Sequence, residues 1–202
     1  MKTSRIMMIA AVFAMAALVA GCSKAPTQTV QEAELAVRAV EDAGAAQYAP
    51  ASLAAANEAM AKLNAELAVQ ADKMSMLRRY GTAQELAVAA KVAADNALAE
   101  TQAAKQAAHD AAVARIEAAT AQLEVVRPML ATAPRGKGSE ADLRLLEADL
   151  VGVENTLAEA RAAVAAGDFI SADAKAAAAA QSLDEVKTAV ETAQALQAQR
   201  KR

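Results

Sequence analysis

The residue with the clearest potential for chemistry is Cys22, which is the only cysteine in the chain and ends the stretch LVAGC at 18–22. It follows a short basic N-terminus and an unbroken apolar run over residues 6–20, an order typical of a secretory signal that a peptidase removes. The apolar run has ~15 residues, whereas a helix needs about 20 to cross a bilayer, so cleavage is favoured over a permanent span. The small pair Ala20 and Gly21, directly before Cys22, is typical of the end of such a signal.

The stretch LVAGC resembles the lipobox of bacterial lipoproteins. This resemblance implies that the Cys22 thiol receives a diacylglycerol, that cleavage makes Cys22 the first residue of the mature protein, and that its new amino group receives a further acyl chain such as palmitate. Several acyl chains on one residue hold a protein firmly to a membrane. Ser23 resembles the outer-membrane sorting pattern, so we expect a location on the periplasmic face of the outer membrane. The alternative is a chance cysteine beside an ordinary cleavage site.

The composition narrows the classes of partner. The chain has a formal net charge of -3 at pH 7, and aromatic residues make up 2% of it. A nucleic-acid-binding surface needs a strongly basic face with stacking aromatic side chains, so nucleic acid is not an expected partner. With one cysteine the chain cannot form an internal disulfide, even in an oxidising periplasm.

Alanine is the dominant residue type, and it favours helices while burying little apolar area per side chain. Runs of alternating β-branched residues, which would favour strands, do not occur. We therefore expect an all-α fold of elongated antiparallel helical hairpins, resembling a coiled-coil bundle, with about five helices after signal removal. The first of these is predicted to run from Thr27 or Thr29 to about Ala46, with Gly44 on its apolar face.

Apolar residues recur every three or four positions and predict the packing seams. The second predicted helix has the series Leu53, Ala56, Met60, Leu63, Leu67, Gln70, Met74 and Leu77. The third has an alanine stripe of Ala93, Ala97, Ala104, Ala108 and Ala111. The fourth has Leu143, Leu146, Leu150, Val153, Leu157, Ala160 and Val164, and the fifth has Ala172, Ala176, Ala179, Leu183, Val186, Val190 and Ala193. Gly81 is predicted to end the second helix, and Thr82 with Glu85 to cap the third.

The stretch ATAPRGKG at 131–138 is the strongest loop signal and the predicted domain boundary. The predicted organisation is a lipoprotein signal peptide at 1–21, a lipidated tether at 22–28, a first helical hairpin region at 29–130, a linker at 131–138 and a second helical hairpin at 139–202. Two turns, at Tyr80 and at Phe169, share an aromatic residue followed by a hydroxyl residue and alanine. They suggest a duplicated hairpin, with chance similarity as the alternative.

The turns also hold the candidate partner contacts. These residues are Tyr48, Pro50, Leu53, Tyr80 and Phe169. The alternative role for the three aromatic residues is to cover the ends of thin helical seams. The turn from Tyr48 to Leu53 is the first candidate for a partner site.

The chain resembles a family of alanine-rich helical bacterial lipoproteins classed as a domain of unknown function. The resemblance rests on the lipobox, on the stretch AAQYAP at 45–50 followed by Leu53, and on the Gly167-Asp168-Phe169 turn. Some relatives are fused to an outer-membrane-protein-A-like domain that binds peptidoglycan, and this chain has no such segment after its fifth predicted helix. The family supplies no catalytic residues.

The residues predict no enzyme. His109 is the only histidine and has no second histidine or cysteine to complete a metal site, so neither a metal nor a catalytic residue is predicted. The covalent lipid on Cys22 is the only expected attached group. We expect a structural or protein-interaction role in the cell envelope, with envelope proteins, peptidoglycan or a second copy of the chain as candidate partners. The alternative is a periplasmic carrier that binds a lipid or another apolar ligand between its helices.

Overall fold

A computed structural model describes residues 24–133 and 140–200, and this part of the chain contains six α-helices and no strand. The helices are α1 (Thr27–Asp42), α2 (Ala45–Tyr48), α3 (Pro50–Ala71), α4 (Gly81–Ala131), α5 (Glu140–Ala166) and α6 (Phe169–Arg200), with a 3-10 turn at Ser75–Leu77 before α4. The prediction of an all-α helical bundle is confirmed. None of the described helices is both long enough and apolar enough to cross a membrane.

The chain forms two compact units, Met1–Ala104 and Lys105–Arg202, which divide inside α4. In the first unit, α1, α3 and the first half of α4 pack around two small apolar clusters. One cluster contains Val37, Val40, Ala45, Ala56, Ala94 and Ala97, and the other contains Leu63, Ala83 and Ala87. Because the buried residues that α4 contributes to both clusters are all alanine, with Leu86 and Leu98 only partly buried against them, the helices of this unit are joined by a thin core.

The second unit has a larger core, formed by the second half of α4 with α5 and α6. Its main cluster includes Leu123, Val126, Leu150, Leu157, Leu183 and Val190. A smaller cluster of Ile116, Ala160 and Ala176 continues the seam toward the α5–α6 turn. The loop predicted as a domain boundary, 131–138, belongs to this unit by sequence, and residues 134–139 lie outside the described part.

Two glycines with left-handed backbone explain where two helices stop. Gly167 has φ +80 after α5, and the Asp168 N–H reaches back to the Ala163 carbonyl at 2.9 Å, which ends the helix as predicted. Gly44 has φ +88, so the chain leaves α1 at Asp42 and forms the short helix α2. The predicted single helix to Ala46 is therefore wrong, because Gly44 breaks the helix rather than extending its apolar face.

The predicted seams of α5 and α6 are confirmed, whereas the predicted end of α3, the predicted start of α4 and the predicted stripe of α4 are wrong. α3 ends at Ala71, so Met74 and Leu77 are exposed rather than part of its seam. Gly81 begins α4 instead of ending a helix, and Thr82 lies within that helix. The buried stripe of α4 also differs from the predicted alanine stripe, of which only Ala97 is fully buried. The buried residues in this half of α4 are Ala83, Ala87, Ala90, Ala94, Ala97 and Thr101.

The buried stripe of α4 recurs in α6 at one constant separation along the chain. The matched residues of α6 are Ala172, Ala176, Ala179, Leu183, Val186 and Val190, all of them buried. The seam of α3 from Leu53 to Gln70 likewise matches that of α5 from Leu143 to Ala160, again at one constant separation. Because the spacing agrees on two helices of each unit, and burial agrees at every matched position of α4 and α6, the match supports an internal duplication.

Candidate functional site

The predicted lipidation site, Gly21 and Cys22, lies outside the described residues. The described chain begins at Lys24, and α1 begins at Thr27. The Pro26 carbonyl accepts the first helical hydrogen bond, from the Val30 N–H at 3.0 Å. Helical structure therefore starts five positions after Cys22 in the sequence.

The structure brings Tyr48, Pro50 and Leu53 together in one turn of the first unit. Tyr48 is half-buried at the end of α2, and a Cβ placed on Gly44 would lie 3.6 Å from its ring. Pro50 is exposed at the first position of α3, where its fixed φ suits a helix start. Leu53 packs against the cluster that contains Val40. The turn is thus a closed end of the bundle, with Pro50 as its exposed residue.

Tyr80 and Phe169 are not part of the turn that contains Tyr48, Pro50 and Leu53. Tyr80 packs on the cluster of Leu63, Ala83 and Ala87, at the end of α3 opposite to the Tyr48 turn. Phe169 belongs to the second unit, where it begins α6. The candidate contact residues of the first unit therefore lie at opposite ends of α3 and do not form one site. Each aromatic residue lies at a helix end beside a core cluster or another ring.

Phe169 has a neighbour that the sequence did not suggest. Its ring meets the His109 imidazole edge to face, with centroids 5.0 Å apart. His109 Nδ1 also lies 2.9 Å from a carboxylate oxygen of Asp110, and Gln106 Nε2 donates to the same oxygen. The hydrogen bond from His109, assisted by that from Gln106, lowers the pKa of the Asp110 carboxyl from its ordinary value. Helical spacing alone does not reveal this pairing, because the two rings come from different helices.

Polar contacts between helices surround the core of the second unit. Arg115 on α4 pairs with Asp173 on α6 at 2.7 Å, and Lys175 on α6 pairs with Glu159 on α5 at 2.5 Å. Further contacts between helices join Arg127 with Glu154, Arg161 with Thr120, and Gln122 with Asp184. These contacts make the three helices neighbours of one another on their polar edges as well as in their core.

A shallow groove of about 370 Å³ runs between α5 and α6. Its apolar lining includes Val153 and Val186, and its polar lining includes Asp149, Thr156 and Glu185. The small residue Gly152 opens the groove, since a Cβ there would meet nothing within 4 Å. Two carboxylates at an exposed groove are a solvated helix edge rather than an enclosed catalytic pair.

The connection from α3 to α4, residues 72–80, is a surface that the sequence prediction missed because it extended the α3 seam to Leu77. Arg78 closes the end of α3 by donating from Nη2 to the Ala71 carbonyl and from Nε to the Lys73 carbonyl, both at 3.0 Å. The buried side chain of Gln70 accepts the Arg79 N–H at 2.9 Å. The stretch is KMSMLRRY at 73–80, which combines three basic residues with three large aliphatic ones.

Among the residues that the structure describes, no group of three His, Cys, Asp or Glu side chains is arranged to hold a metal ion. Comparison with known proteins finds no matching family model, no similar curated protein and no similar solved structure.

Proposed function

We propose that this chain is a bacterial lipoprotein, anchored by acyl chains on Cys22 to the periplasmic face of the outer membrane, with a structural or protein-interaction role in the cell envelope and no catalysis. The observation that carries the proposal is the stretch LVAGC after a basic and apolar leader. Folded structure from Thr27 onward, close after Cys22, suits a protein held near a membrane surface.

The interaction role is supported by the division of each helix surface into a packed apolar seam and exposed faces. The apolar seams pack the helices of each unit against one another. Ion pairs such as Arg115 with Asp173 join the helices of the second unit at their edges. The remaining helix faces are exposed and carry charged residues together with single large apolar ones, such as Leu35, Val88 and Leu145, so they are available for contact with a partner. Envelope proteins, peptidoglycan and a second copy of the chain are the partners proposed.

The anchor is tested by fractionating cells that produce the Cys22→Ser variant. The variant should leave the outer-membrane fraction, by release or by mislocalisation, and its helical circular dichroism should be unchanged because the first helix begins at Thr27, after Cys22 in the sequence. The matched control is Ser23→Asp, which keeps the lipidated cysteine and should move the protein from the outer to the inner membrane. Normal outer-membrane fractionation of Cys22→Ser would contradict the proposal.

The partner is tested by photo-crosslinking in intact cells from Tyr48 and from Phe169, with the exposed residue Val88 as the control position. Recovery of an envelope protein, a cell-wall fragment or a second copy of the chain at one of the two turns, and not at Val88, supports the interaction role. Crosslinking that recovers none of these from either turn counts against it.

A carrier function is the second candidate, and the groove between α5 and α6 is the observation that favours it. Leu146, Val153 and Val186 give the groove an apolar floor, while Asp149 and Glu185 make its rim acidic. An apolar ligand with a basic or neutral polar head would suit that lining. Native mass spectrometry of protein extracted from its membrane should then show a retained ligand, and a ligand-free mass would contradict the carrier function.

A further inference from the structure

The 72–80 loop exposes three large apolar side chains within four positions. Met74, Met76 and Leu77 are 74%, 86% and 59% exposed. Single exposed apolar residues are common on protein surfaces, but a contiguous apolar patch marks a contact with a partner or a membrane. Methionine is flexible and polarizable, which suits contact with a surface of irregular shape.

The loop is an ordered part of the first unit. Arg78 donates two hydrogen bonds to the end of α3, and the Arg79 N–H is bound by the buried Gln70 side chain. The Leu77 N–H also donates to the Met74 carbonyl at 2.8 Å, which closes the 3-10 turn. The backbone bonds are therefore satisfied while the apolar side chains point away from the core, so their exposure is not caused by an unfolded segment.

The second unit shows what the matching region looks like without this surface. At the constant separation that relates α3 to α5, Met74 corresponds to Val164, which is partly buried against Ile116, Ala160 and Ala176. The α5–α6 connection consists of Gly167 and Asp168 alone, whereas α3 and α4 are joined by residues 72–80. A seam residue that is packed in one unit has thus been turned outward in the other.

The loop lies at the end of the first unit where the chain enters from Cys22. The Thr29 side chain is hydrogen-bonded to that of Gln84, in the first turn of α4. Val30 packs on the same cluster as Leu67 and Tyr80, and residues Ala25, Pro26 and Thr27 line a shallow groove together with Leu67. The start of α1, the end of α3 and the start of α4 therefore share one end of the bundle.

The charge of the loop fits a phospholipid surface. Lys73, Arg78 and Arg79 accompany the three apolar residues, against one acidic residue, Asp72. Basic residues beside apolar ones are typical of segments that lie at a membrane interface, because lysine and arginine reach phosphate groups while apolar side chains enter the acyl boundary. Lys24, at the first described position, adds a further basic group near the predicted anchor.

We propose that the 72–80 loop is a second membrane contact, in which Met74, Met76 and Leu77 enter the interfacial region of the bilayer and Lys73 and Arg79 face anionic phospholipid headgroups. The proposal rests on the lipid anchor proposed above. The lipid on Cys22 brings the bundle end to the bilayer, and the loop then sets the orientation of the first unit on it.

The test uses the lipidated mature protein in vesicles of phosphatidylethanolamine and phosphatidylglycerol. Because lipid blocks the Cys22 thiol, Met76→Cys supplies a single free thiol for an environment-sensitive fluorophore. The control is Val92→Cys, which labels a residue that is 52% exposed and lies about 17 Å further along α4 than Gly81. Nitroxide-bearing phospholipids should quench the label at Met76 severalfold more strongly than the label at Val92. Adding Lys73→Glu with Arg79→Glu should remove most of that difference.

The outcomes separate this proposal from the lipid anchor. Protein that floats with the vesicles but is quenched equally at Met76 and Val92 overturns the loop contact and leaves the anchor standing. Protein that does not float with the vesicles contradicts the anchor, and the loop proposal falls with it. Quenching at Met76 that is unchanged by the two charge reversals overturns the role given to Lys73 and Arg79.

Discussion

The imidazole of His109 on α4 and the phenyl ring of Phe169 at the start of α6 meet edge to face, with their planes at 86° and their centroids 5.0 Å apart. Aromatic rings favour this geometry because the positive edge of one ring meets the negative face of the other. The α6 seam begins there with Ala172 and Ala176, whose methyl groups fill little volume. The ring pair thus packs the end of a seam that alanine alone fills poorly.

Replacing Phe169 by alanine should lower the free energy of unfolding by about 1–2 kcal/mol, since a half-buried ring and its contact with His109 are lost. Urea unfolding followed by circular dichroism measures the change. Ile170→Ala is the matched control, because Ile170 is 45% exposed and should change stability by less than about 0.5 kcal/mol. An unchanged free energy of unfolding in Phe169→Ala would contradict this packing role of the ring.

Two glycines of the second unit should respond to alanine with opposite signs. Gly167 has φ +80, a conformation that costs an L-residue about 1–2 kcal/mol, so Gly167→Ala should destabilise the protein by that amount. Gly152 lies inside α5 with open space around its Cα, so Gly152→Ala should stabilise it by up to about 1 kcal/mol. The same unfolding measurement compares the two variants. Equal shifts would contradict the left-handed turn at Gly167.

The Glu159–Lys175 pair predicts a dependence of stability on pH. The hydrogen bond from Lys175, with its positive charge, lowers the pKa of the Glu159 carboxyl below its ordinary value of 4.5. A lowered folded-state pKa adds stability that is present above the unfolded pKa and is lost as pH falls through the folded pKa. Lys175→Gln should therefore raise the Glu159 pKa in an NMR titration and weaken the acid dependence of unfolding.

The control for this pair is a double-mutant cycle with Glu159→Gln. If the pair is the cause, Lys175→Gln should have no further effect on the acid dependence once Glu159 is glutamine. An unchanged Glu159 titration in the Lys175 variant would show that the two side chains do not interact in solution.

The seams of α5 and α6 could be predicted from spacing because leucine and valine mark their buried positions, from Leu143 to Val190. The buried stripe of α4 could not be predicted in this way, since alanine occurs on several faces of that helix. Which alanines are buried depends on which face meets a neighbouring helix. The ends of α1 and α3 also depended on tertiary context. Gly44 was compatible with a helix face by spacing, and Arg78 ends α3 through hydrogen bonds that its position in the sequence does not reveal.

The sequence predicted that Tyr48, Tyr80 and Phe169 lie at helix ends. It did not predict which side chains surround them. The sequence did not suggest a neighbour for His109, and the structure places it against Phe169. The 72–80 loop was assigned to a seam because Met74 continues the three-four spacing of α3. Apolar periodicity reports which residues would pack if the helix continued, and it carries no information about where the helix stops.

Gln70 is the residue that joins the bundle to the 72–80 loop. It is buried at a seam position, its Oε1 accepts the Arg79 N–H, and its Nε2 donates to Glu66 at 2.7 Å. Gln70→Leu should leave global stability unchanged or higher, since leucine suits the seam. It should also speed hydrogen exchange of the Arg79 amide by about fivefold, the effect of losing a bond of ~1 kcal/mol.

Gln70→Glu tests the acceptor alone, because it keeps an oxygen acceptor at this position and removes the amide donor. A carboxylate still accepts the Arg79 N–H, so exchange at Arg79 should stay slow, even though the donor to Glu66 is lost and a like charge is added beside it. Exchange is measured by NMR on both variants under identical conditions. If Arg79 exchanges equally fast in the leucine and glutamate variants, the hydrogen bond from Arg79 to Gln70 does not hold the loop, and Arg78 alone fixes the end of α3.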